Sequence, residues 1–132
     1  MPKPLPLPDI DSAPYWDAAR AHRFVAQRCA DCGTLLFPPK ARCPACLTSA
    51  LAWVDLSGRG TIYTFCVAHM DLIPGFTPPY VVAVVELEDQ PGLRVTANIV
   101  DCPVERVRIG LPVEVTFEDR TPERTLPQFR PR

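Results

Sequence analysis

The alternation of apolar and polar side chains predicts a chain built mostly of short β-strands. Residues 51–56, 61–67 and 93–99 are rich in β-branched and aromatic side chains, and 80–87 is apolar almost throughout, which is typical of a strand buried on both faces. Over 113–118, apolar side chains at odd positions alternate with polar ones, which predicts a final strand. About five strands at roughly ten-residue spacing are typical of a small barrel or sandwich.

One short helix is expected ahead of these strands. Either Asp11 or Ser12 can cap its N-terminus, and Pro14 is tolerated in a first helical turn, so the helix should cover about 13–22. Proline makes up 17 of the 132 residues, well above the usual ~5%. Because proline interrupts long helices, this excess favours short strands and turns.

These patterns divide the chain into four segments. We expect residues 1–11, with their alternating prolines, to form a flexible lead-in, and 12–50 to hold the helix and a cysteine-rich module. The strands then place a barrel over 51–118. Three prolines within 119–132 predict an extended C-terminal tail.

Four of the six cysteines form two pairs with the spacing of a metal site. Two residues separate Cys29 from Cys32, and two separate Cys43 from Cys46, so both sulfurs of each tight turn can point at one ion. The ten residues between the pairs are enough for a short hairpin with a strand at 34–37. We therefore predict a structural four-thiolate zinc site with no open position for water. Iron is the alternative occupant, and two disulfides are the metal-free alternative, which a reducing cytoplasm disfavours.

The remaining cysteines and both histidines offer little catalytic chemistry. Cys66 lies in a predicted strand and is expected to be a small buried side chain, and Cys102 precedes a proline in a loop. Cys66 and His69 are three residues apart on a strand and should point to opposite faces, which disfavours a nucleophile and base pair. His22 is expected to be solvated or packed at the helix end. His69 adjoins the 70–79 loop and is a candidate for contact with a ligand or partner.

Composition and charge exclude several classes of protein. With 47% hydrophobic residues the chain can bury a core, so disorder of the whole chain is not expected. No apolar run approaches the ~18 residues that cross a bilayer, and the proline-rich start does not resemble a signal peptide, so we expect a cytoplasmic protein. The 14 basic and 15 acidic residues give a net charge of −1, which disfavours a general nucleic-acid binder.

No catalytic motif is recognisable in the sequence. The stretch Ser-Gly-Arg-Gly-Thr at 57–61 lacks the length and the lysine of a phosphate-binding loop, and no serine lies in a Gly-x-Ser-x-Gly turn. The carboxylates are scattered or lie on the polar faces of strands. The residues therefore predict a binding or interaction module.

Several motifs occur in an order that resembles a known family. They are the two cysteine pairs with Phe37-Pro38-Pro39 between them, Trp53, Ser57-Gly58-x-Gly60-Thr61, Pro79-Tyr80-Val-Val-Ala83, and Ile109-Gly110-x-Pro112-Val113 followed by Phe117. Over about residues 12–118 the chain is similar to bacterial and archaeal proteins that join a rubredoxin-like zinc ribbon to an OB-fold. That family was long catalogued as a domain of unknown function and is associated with acyl-CoA metabolism.

The resemblance implies both a fold and a function. The fold is mainly β, with a short N-terminal helix, the rubredoxin-like zinc ribbon and then a five-stranded OB-fold barrel. The function is that of a non-catalytic accessory subunit of a thiolase-like enzyme, or of a related acyl-CoA lyase or hydratase, which it stabilises while helping to hold or channel an acyl-CoA intermediate. Any catalytic cysteine is then expected in the partner, because this chain shows no fused second enzyme.

Two other functions stay open. Zinc ribbons and OB-folds also occur in proteins that bind single-stranded nucleic acids, although such binding needs a basic groove with exposed aromatic side chains. An iron-bound ribbon would instead suggest an electron-transfer protein.

Four residues are candidate contacts for the leading function. Trp16 and Phe37 can anchor a protein partner, and Lys40 and Arg42 can meet the phosphates of coenzyme A. The alternative for the two aromatic residues is that they pack the helix onto the ribbon.

Overall fold

The computed structural model describes residues 3–132, and it is mainly β as expected. Within that range the chain forms one α-helix, eight strands and a short 3₁₀ turn at Val104–Arg106. The elements are α1 Ala13–Arg20, β1 Val25–Cys29, β2 Leu35–Leu36, β3 Leu51–Asp55, β4 Arg59–Ala68, β5 Tyr80–Leu87, β6 Arg94–Ile99, β7 Pro112–Thr121 and β8 Arg124–Pro131. No helix in this range is long and apolar enough to cross a membrane.

The ribbon is a three-stranded antiparallel sheet in the order β2-β1-β3. Residues 51–55, which the sequence pattern assigned to the barrel, pair here with β1 along a five-residue ladder from Val25↔Asp55 to Cys29↔Leu51. The central strand β1 is buried apart from Arg28, so its backbone groups need partners on both edges. Strand β2 covers only part of one edge, and β3 satisfies the other.

The remaining five strands close into a barrel in the order β4-β5-β6-β8-β7. Side chains of β5 alternate strictly, and its buried positions point into the barrel. The largest fully buried side chains of the barrel interior include Phe129, Ile62, Leu87, Val85 and Val113. The expected five-stranded OB-fold is confirmed. Its fifth strand is β8, because residues 51–55, which were expected in the barrel, belong to the ribbon.

The C-terminal segment is therefore a strand of the barrel, and the expectation of a tail over 119–132 is wrong. Strand β8 pairs with β7 from Thr121↔Arg124 to Val113↔Pro131. The Arg132 amide donates to the Pro112 carbonyl at 3.1 Å, which places the β7-facing amides on the even-numbered residues of β8. The prolines of β8 occupy odd-numbered positions, so they remove no donor from this ladder.

The proline-rich lead-in lies against the barrel, whereas the sequence predicted a flexible segment. Lys3 Nζ forms an ion pair with Glu118 Oε1 at 3.0 Å, and its side chain is only 15% exposed. Arg124 Nε donates to the Pro6 carbonyl at 3.2 Å. Met1 and Pro2, which belong to the same predicted lead-in, lie outside the described residues.

Helix α1 ends two residues earlier than expected, in a Schellman motif. The His22 amide donates to the Ala19 carbonyl and the Arg23 amide to the Ala18 carbonyl, both at 2.9 Å. His22 adopts the left-handed conformation that this motif requires, with φ 58°. At the other end Ser12 occupies the N-cap position without a side-chain capping bond.

Two glycines allow the close packing where β4 begins. Gly58 has φ 76°, and a Cβ atom there would lie closer than 3.0 Å to the Val115 side chain. A Cβ atom on Gly60 would lie closer than 3.0 Å to the Glu86 carbonyl oxygen, which cannot move out of the sheet. Both glycines of the Ser-Gly-x-Gly-Thr motif are therefore explained by close packing in the barrel wall, which leaves no room for a side chain.

The turn between β5 and β6 joins the ribbon to the barrel. Gln90 Oε1 accepts from the Leu35 amide at 2.8 Å, and Gln90 Nε2 donates to the Leu35 carbonyl at 3.0 Å. Next to it, Asp89 accepts from the Ser57 amide at 3.0 Å and from the Ser57 hydroxyl at 2.8 Å. These bonds fix the ribbon relative to the first barrel strand.

Candidate functional site

The two cysteine pairs lie in two turns of the same design. The Cys29 amide donates to the Thr34 carbonyl and the Cys43 amide to the Thr48 carbonyl, both at 2.9 Å. The residue after each pair is in the left-handed region, Gly33 with φ 76° and Leu47 with φ 64°. Only the first of these two positions is a glycine, so the sequence does not reveal that the two turns have the same conformation.

The four sulfurs fit a tetrahedral metal site. All four Sγ atoms lie within 4.8 Å of one another. The Sγ–Sγ distances are 3.3 Å from Cys29 to Cys46, 3.7 Å from Cys32 to Cys43 and 3.9 Å from Cys32 to Cys46. A tetrahedron with Zn–S bonds of about 2.3 Å has edges of about 3.8 Å. The donor set and spacing therefore fit one zinc ion held by four thiolates.

Hydrogen bonds around the sulfurs tune their proton affinity. The Thr34 hydroxyl lies 3.1 Å from Cys32 Sγ, and this bond is the main cause that lowers the pKa of Cys32 to about 6. The neighbouring Cys29 sulfur is the main cause that raises the pKa of Cys46 to about 12 in the metal-free site. Zinc binding requires all four thiols to lose their protons, so the ion overrides this difference.

An apolar groove of about 440 Å³ opens beside the barrel and is the second candidate site. One wall is formed by α1 and the ribbon, through Trp16 and Phe37. The opposite wall is formed by the β4–β5 loop and the start of β5, through Phe76 and Tyr80, whose ring centroids are 5.1 Å apart. The floor consists of residues from β5, β6 and β8.

The groove exists because β6 and β8 separate. These parallel strands share a single residue pair, Ile99↔Phe129. Beyond it, side-chain amides replace the missing backbone ladder, with Gln128 Oε1 accepting from the Asn98 amide at 2.9 Å. Asn98 Nδ2 in turn donates to the Val81 carbonyl at 2.8 Å. The opening between the strands is thus lined by apolar side chains with two amides at its base.

The predicted contact residues fall into two groups. Trp16 and Phe37 both line the groove, and both also pack against the core. Contact with a partner stays a prediction for both residues. Lys40, Arg42 and His69 do not line it. Lys40 Nζ and Arg42 Nη1 instead donate to ribbon carbonyls at 3.3 Å and 3.1 Å.

The structure changes the expectation for Cys66 but not the one for His22. Cys66 is exposed, and the prediction of a buried side chain is wrong. A bulge between Ile62 and Thr64 shifts the register of β4, so even-numbered residues that face inward before it face outward after it. His22 was expected to be solvated or packed, and its side chain is about half exposed (51%) while its ring stacks on Phe117 with ring centroids 5.0 Å apart. Its Nε2 lies 2.8 Å from Asp119 Oδ1.

Sequence reasoning missed most of the groove. Tyr15, Phe76 and Tyr80 line it, yet none was a candidate. Phe76 and Tyr80 flank the proline cluster of the β4–β5 loop, and in an OB-fold that loop borders the usual ligand face, so the sequence contained a usable signal. The Tyr15 position follows only from the way α1 covers the barrel.

Family models match the ribbon and the first four strands of the barrel. The ChsH2 rubredoxin-like zinc ribbon domain matches residues 16–52, and the ChsH2 C-terminal OB-fold domain matches 53–118. The chain belongs to the ChsH2 family. The ribbon's description names zinc, in agreement with the four-thiolate geometry and against the iron alternative.

Relatives carry names from acyl-CoA chemistry and from scaffolding. A probable enoyl-CoA hydratase alpha subunit of Thermomonospora curvata is 41% identical over 98% of this chain and 40% of the relative. A DUF35 domain-containing scaffold protein of Methanocaldococcus jannaschii is 42% identical over 71% of this chain and 67% of the relative. This ChsH2-family chain therefore spans about two fifths of the hydratase subunit and about two thirds of the scaffold protein.

A solved structure shares the complete fold. A chain of the structure titled "Ltp2-ChsH2(DUF35) aldolase" superposes with a TM-score of 0.88 and is 41% identical, covering 96% of this chain and 98% of that chain. A benzoylsuccinyl-CoA thiolase subunit of Thauera aromatica is 32% identical over 73% of this chain and 63% of the relative. Relatives of this ChsH2-family chain are thus named as subunits of hydratase-type and thiolase-type complexes.

Proposed function

We propose that the protein is a non-catalytic accessory subunit of an acyl-CoA-processing enzyme, with a thiolase-like enzyme, lyase or hydratase as its partner. The observation that carries this proposal is the full-length likeness, at 41% identity, to a chain of the aldolase structure. The subunit stabilises its partner and helps to hold or channel the acyl-CoA intermediate.

The chemistry of the zinc site supports a structural role. Four thiolates complete the zinc coordination and leave no position for a substrate or water. Zinc at such a site contributes folding free energy, on the order of 10 kcal/mol at neutral pH, to a segment too small to have a core of its own. The ribbon needs its thiols reduced, which favours a cytoplasmic location.

Exposed apolar side chains support a protein partner. Leu7 and Ile10 of the lead-in are 90% and 92% exposed, and Met70 and Leu72 of the β4–β5 loop are 65% and 72% exposed. Each of these two segments therefore offers apolar surface that a partner can cover. The single-stranded nucleic-acid alternative is less well supported, because none of the lysines and arginines in the described part of the chain lines the groove on the OB-fold face.

Affinity purification from the native cells tests this function. The tagged wild-type chain should recover an acyl-CoA enzyme in stoichiometric amount. A tagged Cys43→Ser variant, whose ribbon cannot close around zinc, is the control that identifies unspecific proteins. Recovery of nucleic acid alone, or thiolysis, aldol cleavage or hydration by the isolated wild-type chain, would contradict the proposal.

A second experiment concerns Lys40 and Arg42, which we assign to the phosphates of coenzyme A. Replacing both with alanine should weaken retention of acyl-CoA by the complex, because two phosphate contacts are lost. Replacing both Arg106 and Arg108 with alanine is the matched control, because these two arginines are exposed and lie outside the ribbon and the groove. Unchanged retention in the double variant would remove both residues from the site.

A further inference from the structure

We propose that the groove between α1, the β4–β5 loop and the barrel binds the acyl part of a thioester, specifically a flat ring-bearing acyl group with an oxygen that pairs with the Tyr15 hydroxyl. The identity of the ligand as a thioester rests on the proposed function, whereas the preference for a ring and an oxygen rests on the groove itself.

The size and walls of the groove suit a small organic molecule. Its volume of about 440 Å³ lies within the roughly 300–1,000 Å³ of small-molecule sites. Aromatic side chains stand on both walls, Trp16 and Phe37 on one and Phe76 and Tyr80 on the other. Rings stack on rings with a preferred geometry, so this site should favour a flat ring over a flexible hydrocarbon chain.

Tyr15 supplies a polar group that the protein leaves unused. Its side chain lines the groove and is 6% exposed, yet its hydroxyl makes no hydrogen bond to any group in residues 3–132. That range holds no fully buried polar side-chain atom without a partner, so the hydroxyl keeps some access from outside. Burial raises the pKa of the Tyr15 phenol, which keeps it protonated and able to donate to a carbonyl oxygen.

A second donor lies at the base of the groove. The buried Gln128 amide uses its oxygen for the Asn98 backbone, and its Nε2 reaches only Asn98 Oδ1 at a long 3.4 Å. The amide nitrogen carries two hydrogens, so it retains capacity for an acceptor on a ligand. An apolar slot with a few fixed donors is the usual design of a site that orients a ligand.

The charge of the lining residues limits which part of a coenzyme A thioester can enter the groove. Among residues 3–132, no lysine or arginine lines the groove. Lys3 Nζ lies 4.9 Å from the Phe76 ring centroid but is paired with Glu118, so the groove itself offers no cation to the phosphates of a coenzyme. Of the parts of a coenzyme A thioester, the acyl end is the one that matches both the apolar walls and the neutral donors.

Direct binding to the isolated chain tests the inference. The probes are the N-acetylcysteamine thioesters of 2-naphthoic acid and of octanoic acid, together with naphthalene, which has the ring but no oxygen. A Trp53→Phe background leaves Trp16 as the single tryptophan, so its fluorescence reports occupation of the groove. We expect the naphthoyl thioester to bind more tightly than the octanoyl thioester.

Matched variants locate the site. Thr96→Phe places a ring in the groove from an exposed position of β6 and should weaken naphthoyl binding at least about tenfold. Thr61→Phe makes the same change at an exposed position of β4 outside the groove and should leave binding unchanged. Val82→Phe, from β5, is the second blocking variant should Thr96→Phe not fold.

Tyr15→Phe isolates the hydrogen bond. It should weaken the naphthoyl thioester about three- to tenfold and leave naphthalene unaffected, because only the thioester carries an acceptor. Equal binding of the thioester to both forms would overturn the role of the hydroxyl. No binding of any aromatic probe to the folded wild-type chain, or unchanged binding to both blocking variants, would overturn the site itself.

These outcomes are separable from those of the proposed function. Probe binding uses the isolated chain, whereas recovery of an acyl-CoA enzyme does not require the groove to hold a ligand. A Thr96→Phe chain that loses its partner while the wild type binds no probe would identify the groove as a protein interface and refute the ligand proposal.

Discussion

The Gln90 side chain is expected to hold the zinc ribbon against the barrel, and Gln90→Ala should release it. The amide makes two hydrogen bonds to the backbone of Leu35, at 2.8 Å and 3.0 Å, across 55 residues of sequence. The Gln90 side chain therefore bonds to the β2 backbone in the way that a neighbouring strand would. Strand β2 itself pairs with β1 over only two residue pairs. Alanine removes both bonds and adds none.

The size of the effect follows from those two bonds. A hydrogen bond in a half-buried position contributes a net ~1 kcal/mol, so the loss is about 2 kcal/mol. In a chain of this length, a change of that size lowers the melting temperature by about 8 °C. The zinc site should be unaffected, because both hydrogen bonds of the Gln90 amide go to the Leu35 backbone and neither goes to a cysteine.

Gln27→Ala is the matched control, since the same kind of clamp lies within the ribbon. The Gln27 amide accepts from the Lys40 amide at 2.7 Å and donates to the Lys40 carbonyl at 2.8 Å. Lys40 leads into the second cysteine turn, so this variant should weaken zinc affinity. A loss of about 2 kcal/mol corresponds to about thirtyfold.

Two measurements separate the variants. Hydrogen exchange at the Leu35 amide should accelerate in Gln90→Ala, and competition with a zinc chelator should show a changed affinity in Gln27→Ala alone. If Gln90→Ala keeps the wild-type exchange rate at Leu35 and the wild-type melting temperature, the clamp does not hold the two parts together. If both variants lose zinc equally, Gln90 and Gln27 do not have separate roles.

Three further changes have defined outcomes. Gly60→Ala should lower the free energy of unfolding by about 1–3 kcal/mol, measured by urea denaturation, because the new methyl group meets a β5 carbonyl oxygen; wild-type stability would contradict the close approach. Zinc analysis should find one ion per wild-type chain and none in Cys43→Ser, whose ribbon strands should also exchange their amide hydrogens faster; a variant that keeps its zinc would exclude Cys43 as a ligand. The hydrogen bond from the Thr125 hydroxyl, and to a smaller extent the one from His22, lowers the pKa of Asp119 below its ordinary value of 3.8. The ionised Asp119 carboxylate therefore stabilises the fold above pH 3.8, and this stabilisation is lost as the pH falls through the lowered pKa. Asp119→Asn should flatten this acid limb in a series of thermal melts from pH 5 to about pH 2, and an unchanged limb would refute the assignment.

Local sequence patterns were sufficient for the elements whose signals are local. The cysteine spacing predicted the metal site, and the β-branched runs predicted four strands of the barrel. The fifth strand was missed because three prolines in 119–132 suggested a tail. Proline excludes a segment from a strand only where its missing amide would face a neighbour, and that register is not visible in the sequence.

The groove was beyond prediction for a different reason. Its residues come from α1, the ribbon, one loop and three strands, so no local period or motif joins them. Trp16 and Phe37 were candidates because they are aromatic, not because the sequence placed them together. The separation of β6 from β8 arises from barrel closure, a property of the whole chain, and the side chains of Asn98 and Gln128 that bridge it have no sequence signature.

The position of Phe37 connects the metal site to the groove. Phe37 directly follows β2, which Gln90 clamps to the barrel, and its ring lies 5.3 Å from that of Tyr15. Anything that loosens the ribbon therefore shifts one wall of the groove next to the hydroxyl that we assign to ligand binding. Zinc removal and Gln90→Ala should both weaken binding of the naphthoyl thioester, although only the first removes the metal. If Gln90→Ala binds the probe as tightly as the wild type, the ribbon does not shape the groove, and α1 alone must form that wall.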